Sequence, residues 1–216
     1  NEMFIRSKFH FGIADERELA GKMIDAVAQD VYYKDEPQIW IFDRGFPSLS
    51  LIQKLLEHRL YFVMRVSSSF LKEVNAFRKS KYVDRVIHIE YSEHRATQNH
   101  VHSDGISQFD LRCVRVKLPS GEDEILVTNL DRKDFPKRDI KEIYRLRWGI
   151  ETGFNYLKNA VFVEEFVSKT ENGLAQDYFV SLLVYNFATC ICGSMYPNIP
   201  KKENTSTRSI EELPPD

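Results

Sequence analysis

The chain has 216 residues, enough for one large domain or a domain carrying an insertion. Apolar residues make up 43% and charged residues 29%, an ordinary balance for a water-soluble chain, and no apolar run reaches membrane-spanning length. The net charge of −2 conceals basic clusters in YVDRVIHIEYSEHR and RKDFPKRDIKEIYRLRW, so a nucleic-acid partner stays open. Cys113, Cys190 and Cys192 form no C-x-x-C pair and no disulfide framework, which fits a reducing compartment and argues against structural zinc.

In chain order, residues 1–13 alternate loosely (Met3, Ile5, Phe9, Phe11) and predict one or two strands. From Asp15 to about Gln29, Leu19, Met23, Ile24, Val27 and Ala28 recur at helical spacing behind an acidic start. Asp35-Glu36-Pro37 breaks the chain, and the apolar run ending at Phe42 predicts a buried strand. Leu49, Ile52, Leu55 and Leu56 predict a second amphipathic helix, and Leu60 to Val66 another strand. This alternation predicts an α/β layer with a largely parallel sheet. From about residue 80 to 130 the pattern becomes short alternating strands, with PSGED as a hairpin turn. Helical spacing returns from about Asp139, where Ile140, Ile143, Tyr144, Trp148 and Ile150 form one face, and again from about Leu174 to Cys192. The polar tail beyond residue 195 predicts disorder.

Two segments carry chemistry. In IWIFDRGFPS an apolar strand runs into Asp43, Arg44 and Gly45. The carboxyl end of a strand is where ligand groups gather in open α/β sheets, but an Asp there also serves as a cap or turn residue. In YRLRWGIETGFNYLK, Tyr144, Arg147, Glu151 and Lys158 stand at i, i+3, i+7 and i+14. At about 100° per residue these offsets fall in one stripe of a helix face. A surface salt-bridge ladder, with Trp148 and Ile150 packing the core, is the alternative to a functional stripe.

Tyr, two residues, Arg, three residues, Glu, six residues, Lys resembles the Y-R-E-K signature of bacterial DDE transposases in the group named after insertion sequence four. The D-R-G-F segment at Asp43 resembles that family's second catalytic aspartate, and ADERELAGKMI its acidic helix start; the likeness covers most of residues 1–190. The resemblance implies a ribonuclease H-like α/β core with a β-rich insertion between the second Asp and the Glu. In this chain that gives residues 1–75 as the first part of the core, 76–132 as the insertion, 133–195 as the helical part carrying the Glu, and 196–216 as the tail. It further implies Asp43 and Glu151 as catalytic, metal-binding carboxylates for two Mg²⁺ or Mn²⁺ ions, and Tyr144, Arg147, Lys158 and Arg44 as DNA contacts. Gly45 would let the chain turn away so that an ion can approach. The implied partners are double-stranded DNA, as terminal inverted repeats and target, and a second copy in a synaptic complex, in the bacterial cytoplasm at the nucleoid.

The pattern departs from the family at one point. The family's first Asp belongs on a strand ahead of the ADEREL helix, and residues 1–13 contain no Asp. That Asp, its strand and any N-terminal DNA-binding domain are therefore expected outside this chain, and the chain alone is expected to lack cleavage activity. A DNA-binding or assembly remnant, and a metal-dependent hydrolase of another substrate on the same core, are the competing readings. His58, His88, His94, His100 and His102 lack the Cys or carboxylate partners that zinc spacing requires, Ser67 to Ser69 lack a His partner, and no P-loop is present.

Overall fold

The computed structural model describes residues 3–8, 10, 14–33, 35–90, 108–117, 121–160 and 168–195. It divides into two compact units: Asp15–Arg145 form one, and the residues before Asp15 together with those from Leu146 onward form the other among the described residues.

The first unit is a mixed α/β fold around one five-stranded sheet. Its strands are β1 (Ile39–Phe42), β2 (Tyr61–Arg65), β3 (Asp84–Glu90), β4 (Gln108–Lys117) and β5 (Asp123–Thr128). The spatial order is β1-β2-β5-β4-β3. Among the described residues only β1 and β2 pair in parallel, with Ile39 opposite Tyr61; β2–β5, β5–β4 and β4–β3 are antiparallel. The expected largely parallel sheet is thus corrected to a mixed one. The short-strand region does not curl away but adds its strands to the same sheet, because β5 takes the open edge of β2 and satisfies that edge's backbone groups.

Helices α1 (Glu16–Ala28), α2 (Leu49–Glu57) and α3 (Lys72–Lys79) supply one face and α4 (Lys137–Arg145) the other. Asp15 caps α1 by accepting from the Arg17 backbone N–H at 2.8 Å, and Ser48 caps α2 by accepting from Leu51 N–H at 3.2 Å. Leu49, Ile52 and Leu55 of α2 are fully buried, each contributing about 1.5–3 kcal/mol by leaving water. After α2, Arg59 takes a left-handed φ of 55°, Leu60 N–H reaches Leu55 O at 2.8 Å and Arg59 N–H reaches Leu56 O at 3.0 Å. This helix-ending motif usually carries glycine; here it reverses the chain directly into β2 beside β1. Helix α3 was not expected from the sequence pattern, although Leu71, Val74 and Phe77 are buried at three-residue spacing.

Period-two alternation then sorts the strands. Trp40, Phe42, Phe62 and Met64 join the core under α1, α2 and α3. Ile39, Ile41, Val63 and Leu126 join the core under α4, together with Ile140 and Tyr144.

In the second unit, α5 (Arg147–Ala160) and α6 (Glu171–Met195) pack with residues 3–8. Residues 3–8 and 10 form no strand; the rest of the expected N-terminal alternation, at residues 9 and 11–13, lies outside the described residues. The Asn186 side chain takes the place of a strand partner for Phe4. Its Oδ1 accepts from Phe4 N–H at 2.8 Å and its Nδ2 donates to Phe4 O at 2.6 Å. The Phe4 ring packs on Phe154 and Tyr185 at centroid distances of 5.5 and 5.1 Å. Asn186→Ala is expected to lower stability by about 1–3 kcal/mol, since two backbone groups lose their partner. Urea denaturation checks this, and a loss within about 0.5 kcal/mol of wild type would show water replacing the amide without cost.

The expected continuous helix through the Tyr144–Lys158 stripe is interrupted: α4 ends at Arg145 and α5 begins at Arg147, with Leu146 between them. Trp148 and Ile150 are exposed rather than core residues. The expected tail after residue 195, Pro119 and Ser120 of the PSGED turn and the segment between β3 and β4 lie outside the described residues. Among the described residues no helix is long and apolar enough to cross a membrane.

Candidate active site

Alternation along β1 decides where Asp43 points. Ile39 and Ile41 face α4, so Asp43, two residues on, emerges at the carboxyl end of the strand on that same face. A turn closes behind it, with Phe46 N–H donating to Asp43 O at 3.1 Å. Arg17 of α1 clamps the turn by donating from Nε to Gly45 O at 2.8 Å. Gly45 does not lie in the left-handed region, and a Cβ added there would meet open space, so the turn does not depend on glycine.

The Asp43 side chain is 43% exposed. Tyr144 on α4, whose ring belongs to the core under that helix, donates from its hydroxyl to Asp43 Oδ1 at 3.2 Å. Arg65 ends β2, the parallel neighbour of β1, and its Nη1 lies 3.8 Å from the same oxygen. Arg65 also forms a direct ion pair with Glu124 of β5 through Nη2. Arg44, a predicted DNA contact, is largely exposed and places Nη2 3.6 Å from Glu124 Oε1.

The sequence pattern missed Arg65 and Glu124. The signal for Arg65 was the one that marked Asp43, a charge terminating an apolar strand. Glu124 gave no such signal, because it follows Glu122 and Asp123 at a turn and reads as part of a solvated acidic run.

In the second unit, Arg147, Glu151 and Lys158 lie on α5, at offsets that keep them on one helix face. Arg147 Nη1 donates to Glu151 Oε1 at 2.6 Å, a charge-assisted bond that fixes the carboxylate's rotamer. Glu151 is 45% exposed, and Lys158 is exposed about two turns beyond. Of the predicted residues, Asp43 and Tyr144 are joined directly within the first unit, where Arg44 also lies; Arg147 and Glu151 are joined within the second.

Asp43 and Glu151 offer hard, partly solvated carboxylate oxygens, a donor type that suits Mg²⁺ or Mn²⁺ rather than a soft metal. Among the described residues no three His, Cys, Asp or Glu side chains gather closely enough to hold a metal ion. His58 and His88 each pair with one carboxylate, Asp25 at 3.0 Å and Asp110 at 2.8 Å; His94, His100 and His102 lie outside the described residues. Asp25 is held below the usual carboxylate range: burial pushes it up, but hydrogen bonds from Lys54 and His58 outweigh that.

Comparison with known proteins places the chain in a family. A family model described as the transposase DDE domain matches residues 1–187. A protein of Sinorhizobium fredii named "Putative transposase y4zB" is 27% identical over 148 residues, which cover 68% of this chain and 40% of that protein. A protein of Geobacillus stearothermophilus named "Probable transposase for insertion sequence element IS5377" is 22% identical over 180 residues, covering 80% of this chain and 43% of that protein. The chain thus spans about two fifths of the length of these relatives. With the family model covering most of its residues, this chain belongs to the DDE-domain transposase family.

Proposed function

We propose that this chain forms part of the catalytic domain of an insertion-sequence transposase of the Y-R-E-K group, built on a ribonuclease H-like core and serving metal-dependent DNA strand cleavage and strand transfer at element ends. One observation carries the reading: the Tyr144–Asp43 hydrogen bond joins the two signature segments across 101 residues of sequence. A turn aspartate at the end of a strand needs no such partner. A carboxylate that must hold one orientation does.

In this reading Asp43 and Glu151 are the carboxylates that hold Mg²⁺ or Mn²⁺, which when bound would activate the attacking oxygen and offset charge on the leaving one. Tyr144 orients Asp43, and Arg147 orients Glu151. Arg147, Lys158 and Arg44 meet backbone phosphates, positioning the duplex without reading its bases. The strands of residues 76–132 correspond to the family's insertion between the second Asp and the Glu. The partners are terminal repeats, target DNA and a second copy of the transposase, at the bacterial nucleoid.

The test is Mn²⁺ binding by the purified chain, followed by electron paramagnetic resonance of the free ion. Asp43→Ala and Glu151→Ala are each expected to weaken Mn²⁺ about tenfold or more. Glu142→Ala, which removes an exposed carboxylate paired with Arg145, is expected to leave it unchanged. Mn²⁺ affinity insensitive to both Asp43 and Glu151 would refute the reading.

A further inference from the structure

Glu124 is a buried charge of the first unit that the proposed chemistry does not use. Its side chain is 5% exposed, and it lies on β5 beneath two arginines. Arg65 opposes Leu126 across the β2–β5 ladder, so Glu124, two residues from Leu126, shares a sheet face with Arg65. On that face the Arg65 guanidinium lies between two carboxylates. It is in direct contact with Glu124 and stands 3.8 Å from Asp43 Oδ1, beyond hydrogen-bond distance.

The partition follows from burial. A carboxylate stripped of water costs far more to leave without its cation than one that is 43% exposed. The attraction is also stronger where the dielectric is low. Arg65, itself only 24% exposed, is therefore committed to Glu124. Arg44, more exposed, approaches the same Glu124 oxygen at 3.6 Å and adds a second cation to that buried anion.

We propose that Glu124 is a positioning residue: its buried carboxylate draws the Arg65 guanidinium to itself and so keeps the Arg65–Asp43 ion pair loose, at 3.8 Å. The proposal rests on the reading of Asp43 as a metal-binding carboxylate. In the absence of Glu124, Arg65 turns to Asp43 and competes there with a divalent cation. A residue needed only for packing would not behave in this way, because its loss could not be repaired by also removing Arg65.

Two measurements decide it. The first uses no metal and no DNA: ¹⁵N relaxation of the Arg65 guanidinium. Asp43→Asn is expected to leave Arg65 ordered, and Glu124→Gln to leave it ordered only while Asp43 is present, so that the double variant frees it. Release of Arg65 by Asp43→Asn alone would overturn the proposal, as would an ordered Arg65 in the double variant. The second is Mn²⁺ affinity. Glu124→Gln is expected to weaken it about tenfold, about 1.4 kcal/mol, and Glu124→Gln with Arg65→Gln to bring it back to within about twofold of wild type. No recovery in the double variant would overturn the proposal. Should Mn²⁺ ignore Asp43 in every background, the metal reading falls, while the relaxation measurement still decides what Glu124 does to Arg65.

Discussion

Replacing Arg112 with methionine is expected to cost about 3–5 kcal/mol of folding stability, the range for breaking a buried ion pair from one side. Arg112 sits in the middle of β4 and its side chain is 3% exposed. Its guanidinium grips Asp84 from two sides, Nε to Oδ1 at 3.0 Å and Nη2 to Oδ2 at 2.8 Å. Its Nη1 donates to the carbonyls of Leu130, Asp131 and Phe135 at 3.2, 3.2 and 2.7 Å. Methionine matches the stem but leaves Asp84 dependent on the exposed Arg132 and strips three carbonyls of their donor.

The effect should depend on pH with a definite sign. Burial pushes Asp84 upward, but the bonds and charges of Arg112 and Arg132 outweigh it and hold the carboxyl below the ordinary range. A carboxylate depressed in the folded state stabilises the fold above its unfolded value of about 3.9, and that contribution is lost as pH falls through the folded value. The gap between wild type and Arg112→Met should therefore be widest near neutrality and narrow under acid. Urea denaturation across that range is the measurement, and a neutral-pH cost below about 1 kcal/mol would contradict it. The consequence reaches the site, because the carbonyls that Arg112 holds belong to the segment leading into α4, which carries Tyr144 to Asp43.

What could be read in the sequence was local, and what could not depended on long-range pairing. The run Ile39–Phe42 ending on Asp43 contained the strand and its end, but not the face of the carboxylate, because all four residues are apolar and only the two packed cores distinguish the faces. The capped, amphipathic α1 and α2 were legible because a helical period needs no partner to be read. The mixed sheet was not, because nothing near Leu60–Val66 records that an antiparallel strand some sixty residues later takes its edge. Glu124 was hidden in a similar way: its neighbours mark a turn, and only the register of β5 against β2 buries it under Arg65. The break at Leu146 was invisible in YRLRWGIE, which contains no proline and only Gly149 as a weak helix former. Nothing local to Asn186 in the apolar run of α6 records that its amide satisfies the backbone of Phe4 across 182 residues.

The affinity of the chain for duplex DNA is expected to fall about forty-fold between roughly 50 and 200 mM salt, if Arg44, Arg147 and Lys158 each neutralise one phosphate. Each such contact adds about −0.9 to the slope of log affinity against log salt, so three give about −2.7 over a fourfold change. The net charge of −2 does not oppose this, because counterion release depends on the cations that touch phosphates and not on the sum over the chain. Lys158→Gln gives the cleaner single test: it should flatten the slope by about one and weaken binding to all sequences alike. Arg147→Gln should do the same and more, because Arg147 also holds Glu151 at 2.6 Å, and its loss leaves that carboxylate to repel the backbone. Fluorescence anisotropy with one labelled duplex across a salt series gives every slope. A wild-type slope near zero, or a slope that Lys158→Gln and Arg147→Gln both leave unchanged, would remove phosphate contact from α5, and with it the reason for three charged side chains to share one helix face.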